Sequence, residues 1–278
     1  MQRKKTWRIS WMLSLAVLIL MVAVSLACLS FPILYRDNAF IRAVWRGNDL
    51  VSLGAAVPVF ILGLISSRRG SLVGELIRLG LLDYTLYNYA FYLLAARYNV
   101  LFLPYVLVIV LSAFGLLTGL LSSRAKEIKE YFRTRLPGRW IAGYLLFVAG
   151  GLSAVYCSQC MGFIFQGTIP DIIPRSGHVT HIVPALDLTL LVPWLVLGGL
   201  WLWQRRPWGY VVTVVITVKS VLYTLVLAAA SLSAVQAGFP EAMGEVPLWL
   251  TIWVGFIITS VLLLANYRSA PKPTGEII

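Results

Sequence analysis

Charged side chains are scarce in this chain. They make up 12% of its 278 residues, where a soluble globular domain has about a quarter. Cysteine occurs three times and histidine twice. An odd cysteine count argues against a fully paired disulfide framework, and two histidines leave little for a metal site. No Walker loop, dinucleotide fingerprint or zincin motif occurs, which disfavours nucleotide-driven chemistry. Neither histidine lies in an apolar run, so bis-histidine haem ligation is disfavoured too. No cofactor and no metal are expected.

Apolar residues fill the chain instead: 59% are hydrophobic and the mean hydropathy is +0.84. The formal charge is +12, yet the basic residues cluster in short segments between apolar runs rather than along one face. That pattern reads as membrane topology, not as a nucleic-acid surface.

A bilayer core takes about 20 apolar residues as a helix. Runs of that kind predict an all-α integral membrane protein with eight transmembrane helices, near 10–33, 49–67, 72–96, 99–122, 140–165, 183–204, 208–232 and 246–267. The first follows "MQRKKTWR" and is read as a retained span, since its length and the lack of a small-x-small site do not suit a signal peptide. Sixteen Lys and Arg residues, from Arg3 to Lys272, fall in alternate loops, and five (Arg36, Arg42, Arg46, Arg97 and Arg175) in the others. The positive-inside bias then puts both termini in the cytoplasm. Only Arg78 and Lys219 are left within spans.

Two stretches of the chain are alike beyond what topogenic Arg pairs alone would produce. "DLVSLGAAVPVFILGLISSRRG" from Asp49 and "DLTLLVPWLVLGGLWLWQRRP" from Asp187 each open on Asp-Leu at the outer face. Each carries a proline that permits bending, Pro58 or Pro193, and closes on an Arg-Arg pair. Tyr-Thr-Leu follows at Tyr84 and again at Tyr223. Residues 1–123 and 140–268 are therefore expected to be two parallel four-helix units. A basic cytoplasmic linker, 124–139, joins them, and 269–278 forms a cytoplasmic tail. The linker has apolar residues at near-helical spacing among six basic ones. It reads either as a short helix on anionic inner-leaflet lipids or as a solvated loop.

Lys219 stands in "VITVKSVLYTLV", about 17 Å from the Arg206 boundary and too deep to snorkel well. A charge at mid-bilayer costs on the order of 3 kcal/mol, so it wants a partner. Asp83, on the repeat-related span, is the expected one, in a buried charge pair across the seam. Ser and Thr at 213, 217, 220 and 224 run beside Lys219, a stripe that suits close helix packing.

"DYTLYNYAFY" is unusually polar for a span. Tyr84, Tyr87, Asn88 and Tyr92 are candidates to line an outward-opening ligand cavity, with helix packing and an interfacial aromatic belt as the alternatives. "CSQC" offers Cys157 and Cys160 one turn apart, a spacing that can cycle between dithiol and disulfide. It resembles, in that motif alone, the membrane quinone reductases that drive disulfide formation and the vitamin K epoxide reductases. Those use a second cysteine pair, and here only Cys28 remains. Ala149, Ser153 and Cys157 continue a small-residue stripe, which favours packing. His178, His181, Asp171 and Asp187 in the longest outer loop have the makings of a partial metal site, but they read better as ordinary loop residues.

At "DLVSLG…SSRRGS", "YTLYNYAFYLL…YNVLFLPYV" and "ALDLTLLVP…WLWQRRPWGY" the chain resembles a family of bacterial multi-pass integral membrane proteins, over most of residues 49–225. The resemblance implies a bacterial cytoplasmic-membrane location and eight spans. It carries no substrate, cofactor or catalytic residue. Three functional readings follow. The first is a transporter or small-ligand-binding membrane protein centred on Asp83, Tyr84, Tyr87, Asn88 and Lys219. The second is a thiol–quinone oxidoreductase using Cys157 and Cys160. The third is a structural or assembly partner in the bilayer.

Overall fold

The computed structural model describes residues 2–268, so Lys272 and the proposed tail 269–278 lie outside the described residues. Every regular element among them is helical, and one isolated β-bridge joins Phe132 to Tyr267.

Helix α1 runs Gln2–Ser30. Helix α2, Ala39–Val51, is capped by the Asn38 side chain, which accepts from the Ile41 N–H at 2.9 Å. It passes through a π-helical turn, Ser52–Ala56, into α3, Val57–Arg68. Gly70, at φ +84°, turns the chain, and Ser71 caps α4, Leu72–Ala95. Helix α5 is Phe102–Ser122 and the short α6 is Ala125–Glu130. Helix α7, Gly138–Gln166, ends at left-handed Gly167. After α8, Ile172–Ser176, helix α9, Ile182–Leu186, passes through a second π-helical turn, Asp187–Leu191, into α10, Val192–Trp203. Helix α11, Pro207–Gln236, starts on a proline, and α12 is Val246–Ala265.

Seven helical stretches are long and apolar enough to cross a membrane: Gln2–Ser30, Ala39–Arg68, Phe102–Ser122, Gly138–Gln166, Ile182–Trp203, Pro207–Gln236 and Pro240–Ala265. Their outward faces are studded with side chains such as Leu62, Phe147, Phe165 and Val261, each more than half exposed, as suits contact with lipid rather than water. This is the build of a multi-pass membrane protein. The predicted span 72–96 forms helix α4, which carries Glu75, Arg78 and Asp83 and is not one of the seven. Helices α3, α5 and α11 enclose it. One predicted boundary moves by ten residues: the second stretch starts at Ala39 rather than Asp49, whereas Ile182–Trp203 agrees with the predicted 183–204 and holds Asp187 inside the helix.

The core is built around α4 and α11. Gly80 meets Val215 and Val218, while Tyr87 meets Lys219 and Tyr223; numbers rise together, so the helices run parallel. A Cβ at Gly80 would lie 2.5 Å from the Val218 Cβ, so only glycine lets the backbones approach this closely. Gly47 does the same for α2 against Ala229 and Ala230 of α11.

The basic linker packs against the body of the protein. Only Ala125–Glu130 is helical, and Ile128, Phe132 and Leu136 turn into the protein. Backbone bonds from Arg133 N–H to Asn266 O (2.8 Å) and Arg268 N–H to Tyr131 O (2.7 Å) tie it to the end of α12. These apolar residues are buried against α11 and Tyr267, which removes their surface from water.

Candidate functional site

Helical spacing divides the polar residues of α4 between two faces. Asp83 and Tyr87 look toward α11 and the α9–α10 stretch. Tyr84, Asn88 and Tyr92 look toward α2. Each face meets a buried aspartate.

The first centre surrounds Asp187, which is 1% exposed. Its carboxylate accepts from the Tyr87 hydroxyl at 2.7 Å and the Tyr156 hydroxyl at 2.6 Å. Tyr223 lies 3.3 Å from the same carboxylate and 3.0 Å from the Tyr87 oxygen. A hydroxyl carries one proton, so the Tyr223 proton goes to one or the other. Three helices, α4, α7 and α11, thus converge on one carboxylate at the entrance to a π turn.

Lys219 is fully buried beside it. Its ammonium sits 4.1 Å from the centroid of the Tyr87 ring, 6.0 Å from that of Tyr223 and 3.5 Å from the Leu190 carbonyl oxygen. The expected direct pair with Asp83 is not formed. Among the described residues the ion pairs are Arg124–Glu127, Arg175–Glu241 and Arg175–Glu245. Asp83 is buried and acts on Lys219 only at longer range, as does Asp187. The electron-rich face of Tyr87 takes the place a carboxylate would have filled.

The second centre surrounds Asp49, also 1% exposed. It accepts from Tyr92 at 3.1 Å and from Tyr35 through a short hydrogen bond. Tyr84 pairs with Ser52 at 3.0 Å, and Asn48 donates to the Asn88 side-chain oxygen at 2.8 Å. Trp45 stacks on Tyr92 with ring centroids 4.4 Å apart. Tyr84, Tyr87, Asn88 and Tyr92 therefore do not line an outward-opening cavity. They are 1–3% exposed, and each bonds to a protein partner.

Not every polar atom here is satisfied. Thr217 Oγ1, Ser220 Oγ and Asn88 Nδ2 are buried without a hydrogen-bond partner in the protein. Lys219 has three N–H donors and one distant carbonyl. Deeper in the bundle, Arg78 donates to Ser10 and Ser14 at 2.8 and 2.7 Å, while its Nε and Nη2 have no partner.

The cysteines do not converge. Cys157 and Cys160 are free thiols on the exposed side of α7. Cys28 is buried on α1 beside Asp49, and α1 has no substantial packing interface with α7. His178 lies near Asp37 in the loop before α9, while His181 meets the Tyr156 ring edge-on at 6.5 Å. Burial pushes both imidazoles below their usual range; Asp37 opposes this for His178, and His178 adds to it for His181.

Sequence reasoning missed Asp49 and Asp187 as buried groups, and with them Tyr35 and Tyr156. The signal available was the recurrence of Asp-Leu in both halves. Comparison with protein-family models, with curated proteins and with solved structures finds no match to this chain.

Proposed function

We propose that this is an eight-span bacterial cytoplasmic-membrane protein that binds or transports a small solute at the Asp187–Lys219 centre. It would be built from two parallel four-helix units, with both termini cytoplasmic. Helix α4 supplies the eighth span: its 24 residues reach about 36 Å, enough for a hydrocarbon core of about 30 Å.

One observation carries the reading. In both halves a buried, tyrosine-bonded aspartate stands at or just before a π-helical turn that is followed by a proline, Asp49 before Pro58 and Asp187 before Pro193. Interrupted helices in equivalent positions of two repeats are where membrane transporters build their sites, and π turns recur at functional positions. The unpartnered Ser220, Thr217 and Asn88 atoms support a ligand over a purely structural core, which would satisfy its polar groups.

The close fit of α4 against α11 at Gly80 favours the other reading, a static structural or assembly role. Thermal-shift measurements across small solutes, grouped as anions, cations and neutral polar compounds, separate the two. The solute reading requires at least one class to stabilise the protein, with the shift lost in both Asp187→Asn and Lys219→Met. A shift that survives both substitutions, or no shift from any class, contradicts it. The thiol–quinone alternative has no support in the placement of the three cysteines.

A further inference from the structure

A large cavity lies away from the aspartates, at the end of the bundle that carries the Arg-Arg turns. It measures about 1040 Å³ and lies between the linker and the α10–α11 turn. Six cations line it, and five separate segments supply them: Lys126 and Lys129 from α6, Arg133 from the loop that follows, Arg139 from the start of α7, Arg205 from the turn, and Arg268 after α12. Glu130 is the one carboxylate in the lining, and none of the six takes part in an ion pair among the described residues.

So much like charge is held together by covalent and backbone constraint. The Arg133–Asn266 and Arg268–Tyr131 bonds fix the linker wall, and Phe132 and Leu136 anchor it from beneath. Arg205 is the one non-glycine residue among the described residues with a left-handed backbone, at φ +54°. The wall also holds Trp140, which is 81% exposed, and Trp203, which is half exposed. Both stand at helix ends, where indole rings settle at the level of lipid headgroups.

We propose that this cavity binds the phosphate headgroup of an anionic lipid, whose acyl chains lie against Trp140 and Trp203. Arginine forks suit phosphate oxygens, the volume admits more than one phosphate, and the pre-set wall lowers the ordering cost of binding. A soluble phosphate compound offers the same anionic chemistry, but the exposed indoles give it nothing to contact. The inference stands independently of the solute reading.

Native mass spectrometry of the detergent-solubilised protein tests it, with added two-phosphate, one-phosphate and zwitterionic lipids, and pyrophosphate as soluble competitor. The two-phosphate lipid is expected to bind tightest and the zwitterionic one not to bind specifically. The R133Q/R139Q/R205Q variant should bind about a hundredfold more weakly, and R139Q or R205Q alone about fivefold. K4Q/K5Q, which removes two charges from the same end of the bundle, should bind as the wild type does. Equal binding by the triple variant and the wild type would overturn the proposal. So would an equal loss in K4Q/K5Q, which would mean diffuse surface charge. Pyrophosphate competing as strongly as lipid would overturn it in favour of a soluble anion. The substituted arginines are exposed or partly so, and if the triple variant does not fold the single variants decide.

Discussion

Lys219 rests its ammonium on the face of Tyr87, 4.1 Å from the ring centroid, while the hydroxyl of the same tyrosine donates to Asp187 at 2.7 Å. One aromatic ring thus separates a buried cation from a buried carboxylate while touching both. The arrangement keeps the two groups near each other without a contact ion pair.

Lys219→Met should leave thermal stability unchanged or raised. Methionine fills similar space, and the change removes an ammonium that burial penalises and no carboxylate contacts. Thermal unfolding in detergent checks this. A loss of roughly 3 kcal/mol or more would mean that the charge is paired after all.

Asp187→Ala should cost roughly 2–4 kcal/mol, because it strands the hydroxyls of Tyr87, Tyr156 and Tyr223 in the core. Asp187→Asn keeps an acceptor oxygen and should cost less than half as much. Denaturant or thermal unfolding of the two variants side by side gives the comparison.

Gly80→Ala should cost on the order of 1–3 kcal/mol by forcing α4 from α11, since its Cβ would meet Val218. Gly150→Ala, whose Cβ would meet nothing within 4 Å, should be neutral or slightly stabilising. Equal effects in a melting experiment would contradict the close approach.

The loop before α9 should weaken in acid. His178 and His181 bind protons less readily in the fold than in the unfolded chain, because burial holds their pKa below 6.5. Their contribution is therefore complete above pH 6.5 and is lost as pH falls below it. Melting temperature is expected to fall between about pH 7 and about pH 5, with a shallower fall in H178N/H181N. An unchanged slope would locate the acid sensitivity elsewhere.

Much of this organisation was legible in the sequence. Apolar run length locates the helices, and helical spacing alone sets Asp83 and Tyr87 of "DYTLYNYAFY" on a different face from Tyr84, Asn88 and Tyr92. The two aspartates were harder. Hydropathy pushes Asp49 and Asp187 to the ends of their spans, because it weighs each residue against lipid and not against a tyrosine brought in from another helix. Tyr156 is 31 residues from Asp187 and Tyr87 is 100, so only the folded chain reveals their convergence. The partner of Lys219 was misread for the same reason: charge complementarity names Asp83, whereas a ring face leaves no mark in a count of charges. The basic cavity likewise joins Arg205 and Arg268 to a linker far from both in sequence.

Access to Ser220 tests the central claim most directly. Its Oγ is buried and unpartnered one residue from Lys219, and cysteine is nearly isosteric there. In a C28A/C157S/C160S background reconstituted in vesicles, Ser220→Cys should react with a membrane-impermeant thiol reagent from at least one side, because a solute site must open to water. No reaction from either side, in a protein that remains folded, would mean the centre stays closed and would contradict the account.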